Sequence, residues 1–530
     1  MIALVIIATA VIGLLYWTIQ PAFLSWDPIQ FALALKRFDM ARHRPHPPGY
    51  LLHIAIARIL KTMGASPQHA IIGSSVIMAL TASVLVFIIL TRLRVNKWLA
   101  LIFGIASAMH PLMLTYGTNG SVYPMDAVFF PLLVLLAMRT LTDKKGLYTW
   151  FFMWGISGGA RQNITLFMLP MAIYLWIRLR PGITELAKAV GFAILGGMLW
   201  LLPLIFLTHG LRPLIDAFSA QFLSGWGHSM SLLYGAPWSM VRMNLLTLLR
   251  WSILGFNVFI LLIPAAFIGR QKKPALLLLL LGILPPFAWF ILMYIGKPGH
   301  VLFMVPLSAI LAAMGTQNLF ERSKITRYTS MAISLLIPII LAWQFFAGPS
   351  WIYHLDAPVT YKLRAYNDQK TGTLIHTIKK TTGKGPNSAM VICRDGALSF
   401  RQAMFYLPHL PVVWLIDSGS TGLDLHGTTA CFARGRRAHC LFKGPFWYQK
   451  TYPLNTKIPI PDSVNRLFFF WEAGSGFGKL ARRALPITRA SSRPDTPFFV
   501  WATPWNNKTV RIGNYIFITM PQERRSPVYP

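Results

Sequence analysis

The sequence predicts an α-helical polytopic membrane bundle of about eleven transmembrane helices, followed by a small C-terminal extramembrane α/β domain. Three observations carry that prediction. The 530 residues are 55% hydrophobic and only 12% charged, with a mean hydropathy of +0.51, too apolar for a water-soluble globule. Long apolar runs recur as far as Phe346, and short clusters of cations interrupt them. After Gly348-Pro349 the composition shifts toward short β-like runs separated by polar stretches. The domains are therefore drawn as a bundle over residues 1–346, a linker over 347–384 and an α/β domain over 385–530.

Spanning the hydrocarbon core takes about 20 apolar residues, although shorter or broken helices are tolerated inside a bundle. The runs that meet this description are residues 3–19, 69–90, 98–114, 124–138, 147–156, 164–177, 190–207, 251–268, 275–295, 301–319 and 329–346. The opening run lacks a basic leader and is long enough to span, so it reads as a helix and not as a cleaved signal.

Loop charges test the count. With the N-terminus in the cytoplasm, the even loops carry Arg92/Arg94/Lys97, Arg139/Lys144/Lys145, Arg178/Arg180/Lys188, Arg270/Lys272/Lys273 and Arg322/Lys324/Arg327. Each is a basic cluster, as cytoplasmic loops require. The loops 26–68, 115–123, 158–163, 208–250 and 296–300, and all that follows Phe346, then face outward. Topology signals and attraction to anionic membrane lipids account for the formal charge of +34; no recognition motif turns it into nucleic-acid binding.

Acids are scarce. Up to Phe346 they are Asp27, Asp39, Asp126, Asp143, Glu185, Asp216 and Glu321, of which Asp27, Asp39, Asp126 and Asp216 lie on the outward side. Any acid/base chemistry at that face has a short list to draw on. Asp39, Asp126 and Asp216 read as structural, with Asp126 in reserve because it opens a helix. The outward stretch 208–250 holds amphipathic pieces over 214–223 and 240–249 and the tryptophans Trp226 and Trp238, a pattern suited to the interface.

In the tail, residues 389–393 and 412–416 read as buried strands around a helix over 397–406, a β-α-β unit, and further strands are expected at 466–471, 497–502 and 515–519. Cys431 and Cys440 could close a short disulfide loop in an oxidising compartment, leaving Cys393 free. No repeat, nucleotide-binding loop, zinc motif or nucleophile elbow stands on a suitable element.

The stretch 26–50 is the most informative. It reads Trp26-Asp27-Pro28, an amphipathic run, and then Arg42-His43-Arg44-Pro45-His46-Pro47-Pro48-Gly49-Tyr50. Pro28 suits the first position of a helix with Asp27 as its N-cap, and the prolines impose an extended return. Asp27 beyond the first helix, paired with His46-Pro47-Pro48-Gly49-Tyr50, resembles a branch of the GT-C superfamily of polytopic glycosyltransferases, which includes protein O-mannosyltransferases and aminoarabinose transferases. Further echoes are Tyr123, Gly158-Gly159-Ala160-Arg161-Gln162, Gly296-Lys297-Pro298-Gly299-His300 and, in the tail, Phe400 to Pro408. Two departures stand out. Pro28 and Gln30 occupy positions where relatives carry an acid, and Ser121 stands where they carry a glutamate.

The resemblance implies transfer of a sugar from a polyprenyl-phosphate donor to a hydroxyl of a lipid, glycan or protein acceptor at the outer face. It points to a multi-pass protein of the bacterial inner membrane with its tail outside. Asp27 would be the general base, giving inversion, and His46 would orient the acceptor or relay a proton. Arg161, Lys297 and His300 would meet the leaving lipid phosphate. Plainer readings stay open: Asp27 as a helix cap, His46 as a loop anchor, the cations as interface contacts. No pattern calls for a cofactor, and without a second carboxylate a divalent metal has no support in the sequence. The alternative from another class is a non-catalytic lipid-binding or transport protein on the same scaffold; few acids within the apolar runs and no pair of matching broken helices argue against transport.

Overall fold

The structure is a computed structural model, and it describes residues 9, 12–13, 15–23, 25–40, 44–222, 231–268, 273–353, 359–382, 389–394, 399–417, 428–434, 437–440, 456–471, 476–490, 500–506, 509–512 and 515–520. Two compact units form: Met1–Pro21 with Ala34–Ala365, and Ala22–Leu33 with Tyr366–Pro530.

In the first unit, seven helices among the described residues are long and apolar enough to cross a membrane: Pro67–Arg92, Pro124–Thr142, Ile183–Leu207, Trp238–Leu261, Lys273–Leu292, Pro298–Phe320 and Lys324–Ala347. An eighth span is formed if Lys97–Met109 and Pro111–Gly117, bent by 59° against each other, are taken together. The bend has a local cause. Pro111 forces His110 into an extended backbone, and His110 Nδ1 then accepts from the Leu112 N–H at 3.2 Å, capping the second piece. The runs at 147–156 and 164–177 fall on shorter helices, Gly146–Ala160 and the pair Gln162–Phe167 and Leu169–Leu179. The opening run lies largely outside the described residues, with Leu15, Tyr16 and Trp17 helical.

One expected boundary moves. The span predicted over 251–268 begins at Trp238, because the residues up to Arg250 are mostly apolar, carry no helix breaker and simply continue the helix through Arg242 and Arg250. It stops early at Asn257, whose positive φ of 46° ends the α-helical hydrogen bonding.

Burial separates core from periphery. Met304–Phe320 is almost wholly buried and forms the centre of the bundle, whereas Ile183–Leu207, more apolar still, is mostly exposed and belongs to the lipid-facing surface. That outer helix packs on Gly146–Ala160 through two glycines. A Cβ on Gly155 would come within 2.0 Å of the Ala193 carbonyl oxygen, and one on Gly196 within 2.2 Å of the Phe152 oxygen. Only glycine lets these backbones meet, the usual basis of close helix pairs in a medium that offers no hydrophobic drive between helices.

The second unit contains the expected β-α-β element. Strand β1 (Ala389–Arg394) and strand β2 (Val412–Asp417) pair in parallel with Val391 opposite Val412, and the helix Phe400–Tyr406 lies between them in sequence. Antiparallel β3 (Thr428–Arg434) and β4 (Arg437–Cys440) extend one side, and their register sets Cys431 opposite Cys440. Parallel β6 (Arg466–Trp471) pairs on the other side of β1, followed by β8 (Val500–Pro504) and β7 (Thr488–Ala490). A three-stranded sheet of β5 (Thr456–Pro461), β10 (Tyr515–Met520) and β9 (Thr509–Ile512) shares its core: Ile458, Ile460, Ile512 and Phe517 are buried with Ile392, Leu415, Leu467 and Phe469. Cys393 is buried and outside any disulfide.

Candidate functional site

The polar centre of the first unit starts from a pinched loop. Asp39 and Arg44 exchange backbone hydrogen bonds of 2.6 and 2.8 Å. This pair delivers His46-Pro47-Pro48-Gly49-Tyr50 to the start of the helix Leu51–Thr62. Gly49 at φ +97° takes a conformation that L side chains rarely adopt, and a Cβ there would also meet Leu204 Cδ1 at 2.8 Å. The Pro48 carbonyl accepts from Gln162 Nε2 at 3.2 Å, which ties the loop to the break between Gly146–Ala160 and Gln162–Phe167. His46 packs its ring 5.0 Å from that of Tyr50.

Arg161 sits at that break in an extended conformation. The small residues before it are needed, since Trp200 covers Gly158 and Gly159 so closely that any Cβ would come within 2.8 and 2.6 Å of its ring and side chain. The Arg161 side chain turns into the protein and forms an ion pair through Nη1 with Asp126 Oδ2, with only 8% and 4% of the two side chains exposed. Asp126 occupies the first turn of Pro124–Thr142, where the helix dipole favours an anion. Its Oδ1 is buried and makes no hydrogen bond with any described residue.

Aromatic rings complete the cluster. The Arg161 guanidinium lies over Tyr123, 4.9 Å from the ring centroid. Tyr123 meets Tyr116 and His300 edge-on at 5.2 and 5.3 Å. His300 stacks flat on Phe290 at 5.3 Å, and its Nδ1 accepts from the Gly296 N–H at 3.3 Å. Gly299 makes this possible: a Cβ there would fall 2.4 Å from Tyr123 Cδ2. Lys297, half-buried, precedes His300 in the same turn and accepts its N–H at 3.0 Å through the backbone.

The structure thus joins Pro48, Tyr50, Tyr123, Arg161 and His300, far apart in sequence, in one contiguous polar region of the first unit. Asp126, read from sequence as structural, is the direct partner of Arg161. Arg44 is buried, and Arg42 lies outside the described residues.

Asp27 belongs to the second unit. The helix there spans Trp26–Ala34, so Asp27 stands within its first turn and is not the N-cap that Pro28 suggested; the helix starts earlier because Pro28 is tolerated anywhere in a first turn, where amides need no intrahelical partner. Asp27 is half-buried. The chain just before it is clasped by the helix Phe400–Tyr406: Tyr406 Oη accepts from the Phe23 N–H at 2.7 Å, Gln402 Nε2 donates to the Phe23 carbonyl at 2.9 Å, and the rings of Phe23 and Phe405 lie 5.5 Å apart. Burial pushes the Tyr406 phenol up to about 12, so at neutral pH it remains protonated. Sequence reading marked 400–408 as an echo without a role; its role here is to hold the segment that leads into Asp27.

Sequence reading also missed Arg364. Its buried guanidinium donates to the carbonyls of Thr18 and Leu114, at 2.9 and 3.3 Å, and to Thr118 Oγ1 at 3.0 Å, fixing the start of the helix Tyr361–Thr382. Nothing in a polar helix beyond the last apolar run signals such an anchor.

No family model matches this chain, and no curated protein matches it by sequence. Among solved structures, it is similar to ArnT from Cupriavidus metallidurans bound to undecaprenyl phosphate, with a TM-score of 0.53 and 10% identity over 82% of this chain and 97% of that one. An apo structure of ArnT from the same organism gives a TM-score of 0.49 and 12% identity over the same shares. The fold is that of a GT-C-like membrane bundle with a small C-terminal sheet region, in agreement with the fold class read from the sequence.

Proposed function

We propose that this chain is an integral-membrane glycosyltransferase that moves a sugar from a polyprenyl-phosphate donor to an acceptor hydroxyl at the outer face of the membrane. The single observation that carries this reading is the buried Arg161, held by Asp126 and Tyr123 inside a GT-C-like bundle. A cation kept deep in an apolar protein is costly, and such groups mark ligand sites. The similar ArnT structure holds undecaprenyl phosphate, which supports a polyprenyl phosphate as the lipid partner here. The loop charges favour a tail on the outer side, and the resemblance to GT-C glycosyltransferases implies a bacterial inner membrane.

In this reading the acceptor hydroxyl gives its proton to the Asp27 carboxylate while its oxygen bonds to the anomeric carbon. The bond from that carbon to the phosphate oxygen breaks, and the electron pair leaves on the lipid phosphate. One displacement inverts the anomeric centre. Arg161, Lys297 and His300 meet the charge that develops on the phosphate, and His46 orients the acceptor. A positioned carboxylate base contributes about 100- to 10,000-fold. Asp27→Asn should therefore abolish transfer while the protein still folds and retains undecaprenyl phosphate in native mass spectrometry. Transfer that survives this substitution removes Asp27 from the base role. If the wild-type protein retains the lipid but transfers no sugar to any membrane acceptor, it is a lipid-binding or transport protein.

A further inference from the structure

We infer that the exposed face of the tail helix Gly476–Ala484 docks on the anionic phospholipid headgroups of the leaflet beside it, an interaction independent of the proposed transfer reaction. One side of this helix belongs to the tail core: Ala481 is buried there, as is Leu485 just beyond the helix. Arg482 is held at the flank, where its Nε donates to the Gly478 carbonyl at 3.2 Å and its guanidinium lies 5.4 Å from the centroid of the Trp501 ring. Lys479, Leu480 and Arg483 are exposed on the remaining side, and β9, against which the helix packs, exposes Arg511. Leu480, an apolar side chain, is 43% exposed there.

Helix physics accounts for only part of this charge. Arg482 and Arg483, in the last turn, suit the negative end of the helix dipole. Lys479 stands in the first turn, at the positive end, with Arg483 four residues on and no acid anywhere on the helix. Both features are unfavourable for an isolated helix, because the dipole opposes a cation there and like charges at this spacing repel. The charge rule for membrane topology does not apply either: it acts on short loops, whereas residues 347–530 form a long tail with 24 lysines and arginines against 9 acids. An anionic surface resolves the conflict. With the helix lying along it, Lys479 and Arg483, about 6 Å apart on the axis, reach the phosphates of neighbouring lipids at one depth, and Leu480 beside them enters the apolar boundary. The helix Lys324–Ala347, apolar enough to cross the membrane, ties the tail to the bilayer, so an attraction that is weak per charge acts at high local concentration.

The test uses the full-length protein in nanodiscs of phosphatidylcholine, alone or mixed with phosphatidylglycerol. It reads the acylation of Lys479 by a water-soluble ester, with Lys380, exposed near the end of the helix Tyr361–Thr382, as the internal reference. Phosphatidylglycerol should slow acylation of Lys479 relative to Lys380 by about tenfold or more, as expected for two cations at such a surface. Salt at about 1 M, where charge interactions reach only about 3 Å, should restore the rate. Arg483→Gln should give back about fivefold, the share of one cation. Photoactivatable phosphatidylglycerol on the unmodified protein should label the peptide that holds Leu480, a readout that needs no variant to fold. Equal slowing in neutral discs, equal slowing at Lys380, an Arg483→Gln rate as slow as that of the wild type, or labelling confined to the bundle overturns the inference. So does slowing that appears only when a soluble anionic polysaccharide is added to neutral discs, which assigns the face to a glycan.

Discussion

Removing Asp126 tests the centre of the site most directly. The carboxylate and its partner Arg161 are 4% and 8% exposed, so solvent screening gives little relief to either group when the other is lost. Breaking a buried pair by deleting one member typically costs about 3–5 kcal/mol, because a charge is left without compensation. Asp126→Ala should fall in that range. Asp126→Asn, which keeps an acceptor oxygen but no charge, should cost less. Asp126→Ala/Arg161→Met removes both charges and should recover a large part of the loss, leaving a coupling energy of about 1–3 kcal/mol in a double-mutant cycle. Unfolding by denaturing detergent in mixed micelles supplies the free energies. The functional consequence separates from the structural one in the double variant: it should regain stability but not lipid-phosphate retention, because the guanidinium is gone. If Asp126→Ala and Arg161→Met each cost under about 1 kcal/mol, the pair behaves like a solvated surface contact and the burial argument fails.

Three further substitutions probe what supports the cluster and its neighbours. Gly299→Ala puts a methyl 2.4 Å from Tyr123 Cδ2 and should destabilise by about 1–3 kcal/mol while shifting the ring off Arg161; an unchanged melting curve would show that the turn yields freely. Tyr406→Phe removes the oxygen that accepts from the Phe23 N–H, so amide exchange at residues 22–27 should accelerate, at a cost of about 1–3 kcal/mol; wild-type protection there would deny the clasp. His53 gives a pH dependence. Burial lowers it from 6.5 to about 4, against a smaller raising effect of the Gly120 backbone, and its Nδ1 lies 3.0 Å from Ser74 Oγ. Above pH 6.5 the ring is neutral folded or unfolded. Between 6.5 and about 4 the unfolded chain takes a proton that the native state refuses, so stability drops as pH falls through that window, by at most about 3 kcal/mol. His53→Gln should flatten this part of the pH–stability curve, and a variant as acid-sensitive as the wild type would rule the ring out.

Much of this architecture is legible from residue pattern alone, for reasons that differ by element. Apolar length marks Pro67–Arg92, Ile183–Leu207 and Lys324–Ala347 because bilayer thickness leaves little choice. The β-α-β unit shows through because a parallel strand buried on both faces must be apolar along its buried length, as in residues 389–393 and 412–416. Boundaries fail where a charge reads as an end. Arg250 looks like the edge of a loop, yet the helix runs through it from Trp238 to Phe256. Pairing fails for a different reason. Asp126 and Arg161 are 35 residues apart on separate helices, and no local pattern encodes which cation a scarce acid will meet.

The same distinction explains why the stretch around Asp27 was only partly readable. Its composition points to a capped helix, and a helix does form, over Trp26–Ala34. What composition cannot carry is allegiance: residues 22–33 fold with the tail, nearly four hundred positions away, through Phe23 and its contacts with Gln402, Phe405 and Tyr406. Each of those contacts uses either the Phe23 backbone, which has no sequence signature, or a plain aromatic pair, which has many possible partners. The glutamine and the tyrosine are selected by geometry, one to donate to a carbonyl and the other to accept from an amide, so that both polar groups of Phe23 are satisfied in a buried setting. A segment held at both the N–H and the C=O of one residue has little backbone freedom left there. The carboxylate four residues further on therefore inherits its position from a helix of the tail as much as from its own first turn.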